Sequence, residues 1–556
     1  MHDRTSNIGA ARLLAPPLNR ALGDRAGIWP GFTPLLRYWR MQWWATPVLL
    51  LIVAFADRAA LLGNPVIQVD EQFYLLAGDH LLHGSWPFIA IWDRKPIGLF
   101  LLYAGLRSLG GTGILAYQIA ATVSVAATAY VVERMARKIA PAPGAIVAGI
   151  LYILCLPIMG GVGGQAPVFY NLPVAAAALI IMRLIDPNDD VARRHLTRDG
   201  AIVMLLIGVA IQIKYSAVFE GFFFGIMLMA LSFRQRSTLL ITLGESTLWA
   251  AVALFPTTLA FAGYWLAGHG GDFVFANFWS IFLRSDDPPD QTIGRFWGIV
   301  AFTAPLTLAG CVAPFVASRA YPRRRLAFAL GWAVSACAAV ILFGSYFDHY
   351  ALPLYAPLCL VAAPLLGDRR FGRWAAALMI AAALIAGALN VRRDVRKRGS
   401  WDTIAPMIAM IGQRPKGCVY IFDGDPIIYH LTQSCLLTRW PFPPHLANRR
   451  ETNALGVDGV AETQRIMAQR PTWVITTRGP DSGLTNLPDA AIVNQALRER
   501  YRLVMEIPVG PRTRQLYRLQ SSSRAPATLD RPRPSCCACP RPSPLQEYGH
   551  GHCRRH

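Results

Sequence analysis

Asp70 and Glu71 are adjacent carboxylates that follow the first long apolar run. A second charged cluster, Asp93-Arg94-Lys95-Pro96, lies in the same connection. Acids are favoured in the first turn of a helix, so Asp70 and Glu71 could simply open one over 70–83. The second cluster points to chemistry. Pro96 suits the start of an apolar helix at 97–109, which would hold Arg94 and Lys95 at headgroup level, where a phosphate could sit. Lys214 and Glu220 flank the junction of two apolar runs with no aqueous loop between them. Charges at that depth either pair or line a polar cavity. A structural Lys214–Glu220 pair and a Lys214 phosphate contact both fit. His349-Tyr350, in the short connection FGSYFDHYALP, could join the same cavity or anchor the membrane interface. Glu245, inside a span, has no assigned role.

The elements that must position these residues are membrane helices. The chain has 556 residues, 54% hydrophobic and only 16% charged, with mean hydropathy +0.34. That composition excludes a soluble globular enzyme. The net charge of +21 is spread between apolar runs, which excludes a basic nucleic-acid-binding face. Lysine is scarce: Lys95, Lys138, Lys214, Lys397 and Lys416 are the full set.

At about 20 apolar residues per crossing, the expected spans are 43–62, 114–133, 143–160, 168–185, 200–214, 216–233, 239–266, 295–318, 326–343, 351–367 and 374–390. The run 97–109 is too short to cross. Laying it along the outer interface brings the Arg134/Arg137/Lys138, Arg193/Arg194/Arg198 and Arg319/Arg323/Arg324/Arg325 clusters to the cytosol, as the positive-inside bias requires. The expected fold is therefore an α-helical polytopic membrane protein with eleven spans and juxtamembrane helices, its N-terminus inside and C-terminus outside. Residues 1–42 read as a cytosolic segment before an uncleaved first span. Residues 43–390 form the transmembrane domain, with a first outer loop at 63–113 and another at 267–294. Residues 391–520 alternate as a small extracytoplasmic α/β domain, with helices at WDTIAPMIAMIG, VAETQRIMAQ and AIVNQALRER and strands at CVYIFDG, TWVITT, 501–507 and 514–519. The Pro- and Arg-rich tail 521–556 reads as disordered, and its cysteine and histidine spacing fits no structural zinc pattern. Cys418 and Cys435 could form a disulfide in an oxidising compartment.

The run DEQFYLLA, then HGSWPF, then WDRKPIGLFLLYAGL resembles the family 39 glycosyltransferases of the GT-C superfamily, which use polyprenyl-phosphate sugars. These include relatives of protein O-mannosyltransferases and lipid A aminoarabinose transferases. The similarity continues through IQIKYSAVF, FDHYALPLYAPL and VYIFDGDPIIYHLT…TWVITT, covering most of 45–520. The resemblance implies that Asp70, with Glu71 beside it, serves as catalytic base or metal ligand. It also implies that Asp93, Lys95 and Pro96 match the family's Asp-x-Lys-Pro element. One departure stands out: the second outer loop, GGVGGQAPVFYNLP, has no carboxylate where many relatives carry one. Gln165 and Asn171 are its only polar cavity candidates, and a two-carboxylate metal site loses support. A divalent cation is left open as a cofactor.

The resulting expectation is an inverting glycosyltransferase of the bacterial inner membrane with its C-terminal domain in the periplasm. Asp70, Glu71 and Asp93 would be catalytic, and Arg94, Lys95 and Lys214 would bind the donor phosphate. Its partners would be a polyprenyl-phosphate-linked sugar, a glycan, lipid or protein acceptor, and the bilayer, with no nucleic acid. The alternatives are a transporter or flippase, against which the absence of an internal repeat counts, and a non-catalytic scaffold.

Overall fold

The computed structural model describes residues 44–186, 194–236, 238–480 and 483–520. The expected N-terminal segment 1–42 and tail 521–556 lie outside the described residues.

Ten helices among the described residues are long and apolar enough to cross a membrane, from Ile114–Ala136 through Gly372–Ile411. They match the second to eleventh expected spans, and the chain is a multi-pass membrane protein. The first expected span is the helix Ala45–Arg58, continued by a single turn at Ala59–Leu61. The doubtful run 97–109 is an eleven-residue helix, Ile97–Arg107, as its length requires. The short fifth span begins earlier than expected, at Leu196, and ends at Ile213. Lys214 is then extended, and a single tight turn leads into the helix Val218–Arg236.

Core packing explains why a helix 70–83 with no clean apolar face is stable. In Val69–Leu82, residues 71–78 are buried all the way round. One side packs on Ile97–Arg107 and the other on the C-terminal domain, where the Phe73 ring lies 5.0 Å from Phe442 and Gln72 donates to Asp425 at 3.3 Å. A helix enclosed by protein on all sides needs no polar stripe.

The C-terminal region is a four-stranded sheet, with β1 (Val419–Ile421), β2 (Trp473–Arg478), β3 (Tyr501–Val509) and β4 (Arg512–Leu519). The order is β1-β2-β4-β3. β1 and β2 are parallel, joined through the helix Gly459–Ala468, and the other pairs are antiparallel. Cys418 and Cys435 are joined in a disulfide at its edge. Of the span cysteines, Cys155 and Cys359 are buried, whereas Cys311 is exposed rather than a core side chain. Glu245 acquires a role. Its carboxylate accepts from Thr197 and from Ser232 (2.5 Å) and lies 3.5 Å from Arg236, tying three helices together.

Candidate active site

A cavity of about 1360 Å³ opens where the first long connection, the segment after Leu266, the last span and the C-terminal domain meet. Typical small-molecule pockets occupy roughly 300–1,000 Å³, so this one has room for two reactants. It is amphipathic. Leu254, Phe278, Phe282 and Phe302 are among its apolar lining, while Lys95, Lys214, Gln165 and His349 gather around Asp70, with Tyr350 beside Lys214.

Asp70 sits in the first turn of Val69–Leu82 and Lys95 just before the start of Ile97–Arg107, so two helix N-termini point at the cavity. Gly98 lets the second helix approach the chain beside Lys214, since a Cβ there would lie 2.6 Å from the Gln212 carbonyl oxygen. Gln165 donates to Asp70 at 3.3 Å. Burial pushes the Asp70 carboxyl up, but Lys95, His349, the Gln165 amide and Lys214 together outweigh it and hold the group below the usual carboxylate range. Lys95 Nζ is 3.8 Å from Asp93 and 5.7 Å from the Tyr74 ring. Lys214 Nζ stands 4.3 Å from the Tyr350 ring. Among the described residues no ion pair within 4.0 Å joins Lys214 to Glu220 or to any other carboxylate.

Other expected site residues lie elsewhere. Glu71 was expected beside Asp70 in the reaction, yet it is fully buried outside the cavity lining. Consecutive helix positions point about 100° apart, and Glu71 turns toward Arg58 and the glycine-rich loop. Burial raises its carboxyl to about 7, against the Gly164 N–H and the Arg58 charge. Gly163 is required there, because a Cβ would collide with the Glu71 carboxylate. Arg58 donates to the carbonyls of Gly161, Val162 (2.8 Å) and Gly163 (3.2 Å), fixing the loop that presents Gln165. Asn171, also expected in the cavity, is buried outside its lining and donates to Tyr152 at 3.1 Å and the Leu352 carbonyl at 3.3 Å. Its helix turns it into the bundle.

Arg94 lines the cavity but is committed to Glu451 at 2.5 Å, with Ser280 at 3.2 Å and the Trp92 ring beneath it. Glu451 also pairs with Arg284 at 2.5 Å. Burial would raise the Glu451 carboxyl; the two guanidinium groups overcome this and hold it at about 2. Asp93 is buried, accepts the Arg94 N–H at 2.6 Å and lies 4.0 Å from His445. Burial lowers that imidazole to about 4, so the contact is with a neutral ring. Asp287 holds Arg295 (2.6 Å) and Arg450 (2.9 Å).

This belt of pairs between the first connection, residues 284–295 and the C-terminal domain escaped the sequence reading. So did Asn390, Arg393, Asp394, Lys397 and Arg398, which line the cavity from the end of the last helix. Their spacing was a readable signal, because four of them fall at i, i+3, i+4 and i+7.

Among the described residues no group of three or more His, Cys, Asp or Glu side chains could hold a metal ion. Around Asp70 stand Lys95, Lys214, the Gln165 amide and the His349 imidazole, with no second carboxylate among the groups that act on it. That donor set does not fit a two-carboxylate metal centre.

The architecture is that of a polytopic membrane protein with a small α/β domain after its last span. No protein-family model matches the chain and no curated protein sequence does. Among solved structures it is similar to ArnT from Cupriavidus metallidurans with undecaprenyl phosphate bound. The TM-score is 0.55 at 14% identity, over 87% of this chain and 98% of that one. It is also similar to the Archaeoglobus fulgidus oligosaccharyltransferase in its apo form, with TM-score 0.49 and 11% identity over 80% of this chain and 70% of that one.

Proposed function

We propose that this protein is an inverting glycosyltransferase that moves a sugar from a polyprenyl-phosphate donor to an acceptor hydroxyl on a lipid, glycan or protein. The observation that carries this reading is that Asp70, with Lys95 and Lys214 close enough to act on its carboxyl, lines a cavity also lined by Leu254, Phe278, Phe282 and Phe302. An isoprenoid chain suits the Phe278–Phe282 side, and its phosphate suits the two lysines. The fold shared with ArnT, solved with undecaprenyl phosphate, is consistent with such a donor.

In the reaction the acceptor oxygen attacks the anomeric carbon from the face opposite the phosphate. The carbon–oxygen bond to phosphate breaks, and the phosphate leaves with the electron pair. Lys95 and Lys214 offset the charge that builds on it, and that charge develops only as the bond breaks. The acceptor proton passes to Asp70. A carboxylate held low is a weak base, so Asp70 first orients the hydroxyl and takes the proton late, once the new bond has made it acidic. Gln165 holds the carboxylate in register.

Two features support the proposed orientation in the bacterial inner membrane, with the cavity and C-terminal domain on the periplasmic side. Lys138, Arg183 and Arg325 gather at one end of the bundle, beside the Arg325–Asp186 pair. The Cys418–Cys435 disulfide suits an oxidising compartment. A transporter is the second reading, and only the charged central cavity favours it. Comparing lipid-linked sugars and cell-envelope glycans in a knockout strain complemented with wild-type or Asp70→Asn protein decides between them. Loss of one glycosyl modification with accumulation of its lipid-linked donor is expected for both the knockout and D70N. Unchanged glycans in D70N would sink the enzyme assignment.

A further inference from the structure

The last span does not stop at the membrane boundary expected near 390 but continues as helix to Arg398. Val391 and Val395 pack against Leu61, Ile67 and Val162, which fixes the helix's rotation. Asn390, Arg393, Asp394 and Lys397, away from the valines, face the cavity, and Arg398 reaches it from the helix end. Asn390 is tied to the Pro157 carbonyl at 2.9 Å. Among the described residues, Arg393, Lys397 and Arg398 have no ion pair within 4.0 Å. Asp394 feels all three at longer range. By contrast, the cavity's Arg94, Arg284, Arg295 and Arg450 are each bound to a carboxylate.

Charge accounting separates this wall from the donor site. The phosphodiester of a lipid-linked sugar carries one negative charge, which Lys95 and Lys214 suffice to meet. Three further cations stand against Asp394 and the nearby Asp348, which leaves a net positive charge uncompensated beside a neutral acceptor. Arg398 acts electrostatically on Glu71 and His349, within reach of the reacting centre, yet is not among the groups that set Asp70. On the proposed orientation, five basic residues between 392 and 398 also run against the positive-inside bias, so topology does not explain them.

We infer that Arg393, Lys397 and Arg398 form a second anion subsite for the acceptor, and that the acceptor carries a phosphate or similar anion near the hydroxyl that receives the sugar. This rests on the transferase reading above, with the donor phosphate held at Lys95 and Lys214. Arginine forks and a lysine ammonium together suit a phosphate approached from two sides.

The test uses the full chain in nanodiscs and three probes: glucose 6-phosphate, glucose and undecaprenyl phosphate. Wild type should bind glucose 6-phosphate saturably and glucose much more weakly. Arg393→Gln/Lys397→Gln should weaken glucose 6-phosphate about tenfold or more while leaving undecaprenyl phosphate and thermal unfolding unchanged. Arg393→Lys, which keeps the charge, should retain most of the binding. Lys95→Gln/Lys214→Gln should show the reverse pattern. The subsite is overturned if wild type does not prefer the sugar phosphate, or if the wall variant binds it normally. It is equally overturned if that variant loses undecaprenyl phosphate to the same degree, because the wall then belongs to the donor site. Undiminished undecaprenyl phosphate binding in the Lys95/Lys214 variant would instead refute the donor assignment and leave the wall result standing.

Discussion

Arg94 and Lys95 are neighbours in sequence and belong to two different regions of the molecule. Arg94 is part of the paired belt, where Glu451 holds Arg94 and Arg284, and Asp287 holds Arg295 and Arg450. Lys95 belongs to the cavity edge, where Asp70 and Lys214 make no ion pair within 4.0 Å among the described residues and Lys95 has only a 3.8 Å contact. Both regions are rich in charge at comparable burial. The belt's charges satisfy one another and fasten the C-terminal domain to the bundle. The cavity's charges are left available for a substrate. Pairing, rather than residue type, separates architecture from chemistry.

That contrast can be broken at either side. The largest effect on activity outside Asp70 belongs to Lys95→Gln. Losing one preorganised group that meets the developing phosphate charge should lower the transfer rate about 10²-fold, with no change in thermal unfolding. A matching loss of stability would move Lys95 into the belt.

Glu451→Gln should do the opposite. It leaves two largely buried guanidinium groups without a counter-ion, a change that costs about 3–5 kcal/mol in buried pairs. Limited proteolysis should then release the C-terminal domain at temperatures where wild type resists. Resistance equal to wild type would show that the belt fastens nothing.

The smallest effect is a pH shift. Asp70 is depressed, so its ionised form persists below the ordinary carboxylate value of about 4, and activity should fall only as pH drops through that lowered pKa. Gln165→Leu removes a hydrogen bond to the charged form, worth about 1.5 kcal/mol. The acid limb of kcat/KM should therefore move up by about one pH unit. An unmoved limb would remove Gln165 from the site.

The contrast also explains what the sequence could and could not reveal. Spans and the α/β alternation are local periodicities, and the Asp70 and Lys95 connection is a contiguous motif, so both were legible. The belt was not, because Arg94 and Glu451 are 357 residues apart in the chain and nothing local announces their meeting. Glu71 lies outside the cavity lining because adjacency in sequence is divergence on a helix, and Asn171 because its helix turns it into the bundle. The face through Arg393 and Lys397 shows in the sequence only as a helical spacing of charged residues. Only the valines that fix the helix's rotation show which way it faces.

The central claim is that Asp70, Lys95 and Lys214 carry out the reaction. Its most direct test is single-turnover transfer from an undecaprenyl-phosphate-linked sugar by purified Asp70→Asn, with donor binding and thermal unfolding measured on the same preparation. Transfer should fall about 10²–10⁴-fold, with donor binding and the unfolding temperature close to wild type. Transfer at the wild-type rate by a folded, donor-binding D70N protein would contradict it.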